Sequence, residues 1–222
     1  MSPGAGIEPF VDVSVDPPVR GFLHHPDSPQ KGVVLTHGAG SNARAPLLVA
    51  LAENFSSAGF AVLRCDLPYR QARAYGPPRP GDAARDRMGL ANAVSVINKI
   101  VSGKIFLGGH SYGGRQASML CAEQPALADG LLLCSYPLHP PGKPERLRTQ
   151  HLPDLRVPVL FVHGTKDPFG TIQELDEARK LIPETSVLLK VEGAGHDLGF
   201  KGKTRNEDLP AQIVAEFRAM IG

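Results

Sequence analysis

No apolar run in this 222-residue chain approaches the 18 or more residues that a membrane-spanning helix needs. The opening residues, Met1-Ser2-Pro3-Gly4-Ala5-Gly6, carry neither a charged start nor an apolar stretch, so no secretory leader is expected. Cysteine is scarce. Cys65, Cys121 and Cys134 make an odd number, three, without zinc-like spacing. They read as free thiols in a reducing compartment, which points to the cytoplasm and away from a disulfide framework. The eight histidines are scattered, and no metal site is expected from them. Net charge is nearly absent too, at +2, which gives no ground for nucleic acid or a membrane surface as a partner. Repeats, low-complexity tracts and long linkers are also missing. What is present is ordinary globular composition, 42% hydrophobic and 21% charged, enough for one domain with a full core across residues 1–222.

The most informative segment is Leu107-Gly108-Gly109-His110-Ser111-Tyr112-Gly113-Gly114, a G-x-S-x-G pattern directly after the apolar run 104–107. A strand that turns sharply into a helix at a serine presents the hydroxyl at the top of a sheet, and flanking glycines remove the Cβ atoms that would clash there. The helix expected over 115–123 points its first amides at any negative charge formed beside Ser111.

A serine hydroxyl is a weak nucleophile at neutral pH and needs a base, which in turn needs an orienting acid. The β-rich run 157–162 ends in His163-Gly164-Thr165-Lys166-Asp167-Pro168, and the run 186–191 ends in Glu192-Gly193-Ala194-Gly195-His196-Asp197. Ser111, Asp167 and His196 thus each follow a different strand, in the chain order Ser, Asp, His. Asp197 adjoins His196 too closely to face its ring, and Asp66 precedes Ser111. Backbone amides for a developing oxyanion are expected from Tyr112 and from Ala39, in the turn His37-Gly38-Ala39-Gly40 after the strand 31–36. His37 is read as holding that turn rather than as a second base.

Strands are expected at 10–15, 19–24, 32–36, 60–65, 104–107, 130–134, 157–162 and 186–191. Helices are expected at 45–58, 82–101, 115–123, 171–181 and 207–221. The 82–101 helix should bury Met88, Ala91, Val94, Ile97 and Val101. This alternation implies an α/β fold, a mostly parallel twisted sheet with helices on both faces. Two proline-rich loops, 66–81 and 136–155, should flank the site on its open side. They are too short for a large lid, so a shallow pocket that favours small acyl groups is expected. Arg70, Arg73 and Arg79 in the first loop, with Arg115 on the following helix, are candidates to anchor a substrate carboxylate, although partly self-paired loop charges are the plainer reading.

These features resemble the α/β-hydrolase superfamily over essentially the whole chain. Leu35-Thr36-His37-Gly38-Ala39-Gly40, Asp66-Leu67-Pro68-Tyr69, the block 135–144 beginning Ser135-Tyr136-Pro137-Leu138-His139, and the block 161–169 are similar to a subgroup. It contains testis-expressed protein thirty, the hydrolase-like domain of the third subunit of the NSL chromatin complex, and bacterial dienelactone-hydrolase-like proteins. The resemblance implies the fold and, by position, the catalytic set Ser111, Asp167 and His196. Dienelactone hydrolases proper use a cysteine where this chain has Ser111. The resulting expectation is a cofactor-free serine hydrolase acting on a small-molecule ester or thioester. Its rival is a non-catalytic interaction module on the same fold.

Overall fold

The computed structural model describes residues 6–201 and 206–222; residues 1–5, read above for a leader, lie outside that range. β1 (Gly6–Asp12) and β2 (Val19–His25) form an antiparallel hairpin at one edge. β3 (Lys31–Thr36), α1 (Pro46–Ser57), β4 (Phe60–Cys65), the short α2 (Pro68–Ala72) and α3 (Asp82–Asn98) follow. Then come β5 (Ile105–His110), α4 (Tyr112–Glu123), β6 (Leu131–Cys134), β7 (Val159–Gly164), α5 (Ile172–Arg179), β8 (Ser186–Val191) and α6 (Leu209–Ile221). The eight strands lie in the order β1-β2-β4-β3-β5-β6-β7-β8, parallel from β4 to β8. The expected α/β architecture is therefore the observed one.

The central strands are buried on both sides, and alternate residues feed two cores. Val34, Leu107, Leu133 and Phe161 pack beneath α3, α4 and α5. Val33, Leu35, Phe106, Leu132 and Leu160 pack beneath α1 and α6. Phe55 of α1 meets Phe60 and Phe217 edge-on at 5.3 and 5.5 Å, and a buried side chain of this size contributes about 1.5–3 kcal/mol.

Three expectations shift. The first strand begins earlier and stops at Asp12, whose carboxylate accepts both the N–H and the hydroxyl of Ser14 at 2.8 and 2.6 Å and so turns the chain out of the sheet. Loop 66–81 contains α2, begun by Pro68 at its first position. α3 ends at Asn98; Val94, Ile97 and Val101 are buried as expected and Ala91 packs against the same core, but Met88 is 51% exposed, whereas Asp86 is fully buried on the side of Leu90, Ala93 and Ile97. A periodicity count discounts a carboxylate, but Asp86 is satisfied in the core by the Tyr69 N–H and the Tyr112 hydroxyl.

Candidate active site

Ser111 sits between β5 and α4 with φ +52° and ψ −119°, a backbone state that costs roughly 1–3 kcal/mol and persists only where its surroundings enforce it. Enforcement comes from the Ser111 N–H on the Cys134 carbonyl at 2.8 Å and from close packing on both sides. A Cβ on Gly109 would lie 2.7 Å from the Thr36 carbonyl oxygen, and one on Gly113 would lie 2.5 Å from that of His37. Glycine is needed at both places because neighbouring backbone occupies the space.

His196, in the turn after β8, places Nε2 2.8 Å from Ser111 Oγ and Nδ1 2.8 Å from Asp167 Oδ2. The carboxylate only accepts, so the ring proton belongs on Nδ1, and Nε2 is left to accept from the serine. The Asp167 side chain is fully buried, and its Oδ1 accepts the Phe169 N–H at 2.9 Å. Burial pushes this carboxyl up, yet the hydrogen bonds from His196 and Phe169 outweigh it and hold the group below the usual carboxylate range. Phe169 lies over the His196 ring at 4.3 Å, and His110 Nε2 donates to the His196 carbonyl at 2.7 Å. His163 Nε2, whose ring is kept neutral by burial, donates to the Gly170 carbonyl at 2.8 Å beneath the same turn. Asp197 turns away to accept the N–H groups of Gly199 and Lys201.

The turn His37-Gly38-Ala39-Gly40 abuts the serine: a Cβ on Gly38 would lie 3.4 Å from Ser111 Cβ. Among the described residues, the N–H groups of Ala39 and Tyr112 donate to no protein acceptor. His37 accepts the Leu67 N–H on Nε2 at 3.1 Å, so its Nδ1 carries the proton that bonds the Gly38 carbonyl at 2.9 Å. Burial pushes its pKa down. With Nε2 already accepting and Nδ1 protonated, it has no free lone pair with which to take a proton from Ser111, and it instead holds the turn.

The arginines go elsewhere. Arg70 is 8% exposed, and its guanidinium donates to the carbonyls of Ser41, Ala39, Gly76 and Arg73. Arg73 pairs with Asp82 at 2.5 Å, and Arg79 is exposed. Arg115 lies near Tyr136, Arg148 and His151. None of the four lines the cavity at Ser111. That cavity, about 330 Å³, takes no part of its wall from loops 66–81 and 136–155. Ala39, Ala45, Leu47, Leu48, Phe169 and Phe200 form its apolar wall, and Lys201 stands at its exposed mouth. The sequence did contain a signal for this wall. Residues following the Gly38 turn and residues following His196 must leave from the reacting edge, and each segment carries large apolar side chains, Leu47 and Leu48 in the first and Phe200 in the second.

The histidines also predict an acid response. Burial pushes His24, His110 and His151 down to about 4. In the unfolded chain histidine titrates near 6.5, so between these values the unfolded state binds protons that the folded state refuses. Stability present above that range is lost as pH falls through it. The melting temperature is expected to drop between pH 7 and about pH 4.5, and an unchanged value would contradict the neutral buried rings.

No helix among the described residues is long and apolar enough to cross a membrane, and no group of three or more His, Cys, Asp or Glu there is placed to hold a metal. A family model described as an alpha/beta hydrolase domain matches residues 29–221. The structure is similar to a dienelactone hydrolase from Anabaena variabilis, with 21% identity, a TM-score of 0.77, and 99% of this chain and 100% of that chain covered. It is similar to an alpha-beta serine hydrolase homologue from Coxiella burnetii, with 18% identity, a TM-score of 0.73, and 94% and 96% covered. An esterase of Pyrococcus furiosus matches with 15% identity, a TM-score of 0.76, and 98% and 92% covered. At such identities the likeness is one of fold.

Proposed function

The chain belongs to the α/β-hydrolase domain family, and from that premise we propose that it is a serine hydrolase that cleaves a carboxylic ester or thioester through an acyl-enzyme. The observation that carries this reading is the unbroken hydrogen-bond line from Ser111 to His196 to Asp167, 2.8 Å at each step, at the edge of an apolar cavity. Ser111 Oγ attacks the acyl carbon while His196 Nε2 takes its proton. The N–H groups of Ala39 and Tyr112 receive the negative oxygen. His196 then protonates the leaving alkoxide or thiolate, and water deacylates the serine through the same base. Asp167 holds the proton-bearing Nδ1 and stabilises the imidazolium. The buried free thiols, pushed up to about 12 by burial, suit a reducing, cytoplasmic setting.

The cavity also shapes the substrate reading. Its 330 Å³ would hold on the order of ten water-sized groups at about 30 Å³ each. An uncharged limb of up to about eight carbons fits this space, larger than the shallow pocket expected from the sequence and too small for a long fatty chain. With Arg70 and Arg73 occupied by the protein itself, a carboxylate anchor is not part of this reading. Lengthening the acyl chain of a p-nitrophenyl ester from acetyl to about octanoyl should raise kcat/KM by up to about fourfold per seated methylene, and longer chains should lose the gain. Ala45→Phe should move the optimum to shorter chains. A matched series of acetate esters with lengthening alcohols tells which limb enters the cavity. Flat chain-length profiles in both series would contradict this assignment.

A further inference from the structure

The turn carrying the Ala39 N–H is gripped from behind by side chains that the chemistry itself does not use. The Gly38 carbonyl accepts the His37 ring proton at 2.9 Å and the Ser41 N–H at 3.0 Å, and the Tyr69 hydroxyl lies 3.3 Å away. The Ala39 carbonyl accepts that Tyr69 hydroxyl at 2.8 Å and Arg70 Nη2 at 3.1 Å. Arg70 Nε takes the Ser41 carbonyl at 2.7 Å. In a trans peptide the C=O and N–H point opposite ways across one plane. Fixing the Gly38 carbonyl therefore aims the Ala39 N–H, and fixing the Ala39 carbonyl locks the next plane as well. Bonds to a carbonyl also polarise its amide and strengthen its N–H as a donor.

Tyr69 is itself anchored, and the anchor leads to the other amide. Its N–H donates to Asp86 Oδ1 at 3.0 Å. Asp86 Oδ2 accepts the Tyr112 hydroxyl at 2.7 Å, and Tyr112 carries the second N–H beside Ser111. The two tyrosine rings meet edge-on at 5.8 Å and 90°. Asp86 is fully buried, so this carboxylate is held by the tie and not by water.

We propose that Tyr69 and Asp86 are positioning residues that set the spacing of the two oxyanion donors. Asp86 on α3 fixes α2 to Tyr112 of α4, and Tyr69, with Arg70, carries that fix to the Ala39 turn. The inference rests on the serine-hydrolase reading above. It gives a role to the Asp66-Leu67-Pro68-Tyr69-Arg70 segment, which contributes nothing to the cavity wall.

Tyr69→Phe keeps the ring and loses the hydroxyl that grips the turn. Tyr112→Phe keeps the backbone N–H and cuts the tie at its other end. Each variant, assayed with p-nitrophenyl butyrate and normalised to serine sites titrated with a fluorophosphonate, is expected to lose roughly tenfold in kcat at little-changed KM. That is less than the 10²–10³ lost when a donor is removed outright. Affinity for a trifluoromethyl-ketone analogue of the tetrahedral intermediate should fall by the same factor. The pH profile should not move, because His196 and Asp167 are untouched. The double variant should lose little more than the worse single one, since both cuts relax the same distance. A stabilising network without this role would lower the melting temperature and leave kcat per titrated site and analogue affinity unchanged. That result in both single variants, or losses that multiply in the double, would overturn the proposal while the serine-hydrolase reading stands. A folded wild-type protein that neither reacts with the fluorophosphonate nor turns over esters would remove both.

Discussion

Replacing Ser111 with alanine is expected to leave a folded protein whose ester turnover is lower by about 10⁴-fold or more, with only binding and oxyanion stabilisation remaining. The fold should tolerate the change. The strained φ of +52° is enforced by backbone packing that alanine leaves in place. The side chain lost makes one hydrogen bond, to His196, whose side chain is 24% exposed and is open to water as a substitute partner. Purified variant and wild type, compared for ester hydrolysis and thermal melting, give the test. A variant with wild-type turnover would remove Ser111 from the reaction.

Asp167→Asn should cost nearly as much, on the order of 10⁴-fold in kcat, through the position of a single proton. The Asn carbonyl can still accept the Phe169 N–H, which now meets Oδ1 at 2.9 Å. Its NH₂ then faces His196 Nδ1, which has to become the acceptor. The ring proton moves to Nε2 and confronts the Ser111 hydroxyl, and the base is lost. KM should change far less than kcat. Activity within tenfold of wild type would mean that Asp167 does not set the tautomer.

The meeting of Ser111, His196 and Asp167 was legible because each follows a strand at the same edge of a parallel sheet, and turn residues with G-x-S-x-G spacing mark that edge. The apolar runs also located the central strands to within three residues at either end, the largest miss being β5, which runs on through His110. What escaped was tertiary in origin. Arg70 reads as a loop charge, because its partners are backbone carbonyls of a turn some thirty residues earlier, and no local pattern displays them. Nothing local marks Asp86 as buried, whereas Met88, at helical spacing from Ala91, reads as core and is exposed. The cavity was sought beneath the proline-rich loops, but Arg70 and Tyr69 of the first loop turn inward to brace the Ala39 turn. Space remains instead where α1 begins and where the chain leaves His196 through Phe200.

Reaction of the folded protein with a fluorophosphonate, followed by trypsin and mass spectrometry, tests the central claim most directly. Cleavage after Lys104 and Arg115 releases residues 105–115, in which Ser111 is the only serine. One adduct is expected on that peptide, localised to Ser111 by fragmentation, absent from Ser111→Ala and strongly slowed in Asp167→Asn. A properly folded wild-type protein that gains no adduct there, or that is modified equally in the Ser111→Ala variant, would contradict it.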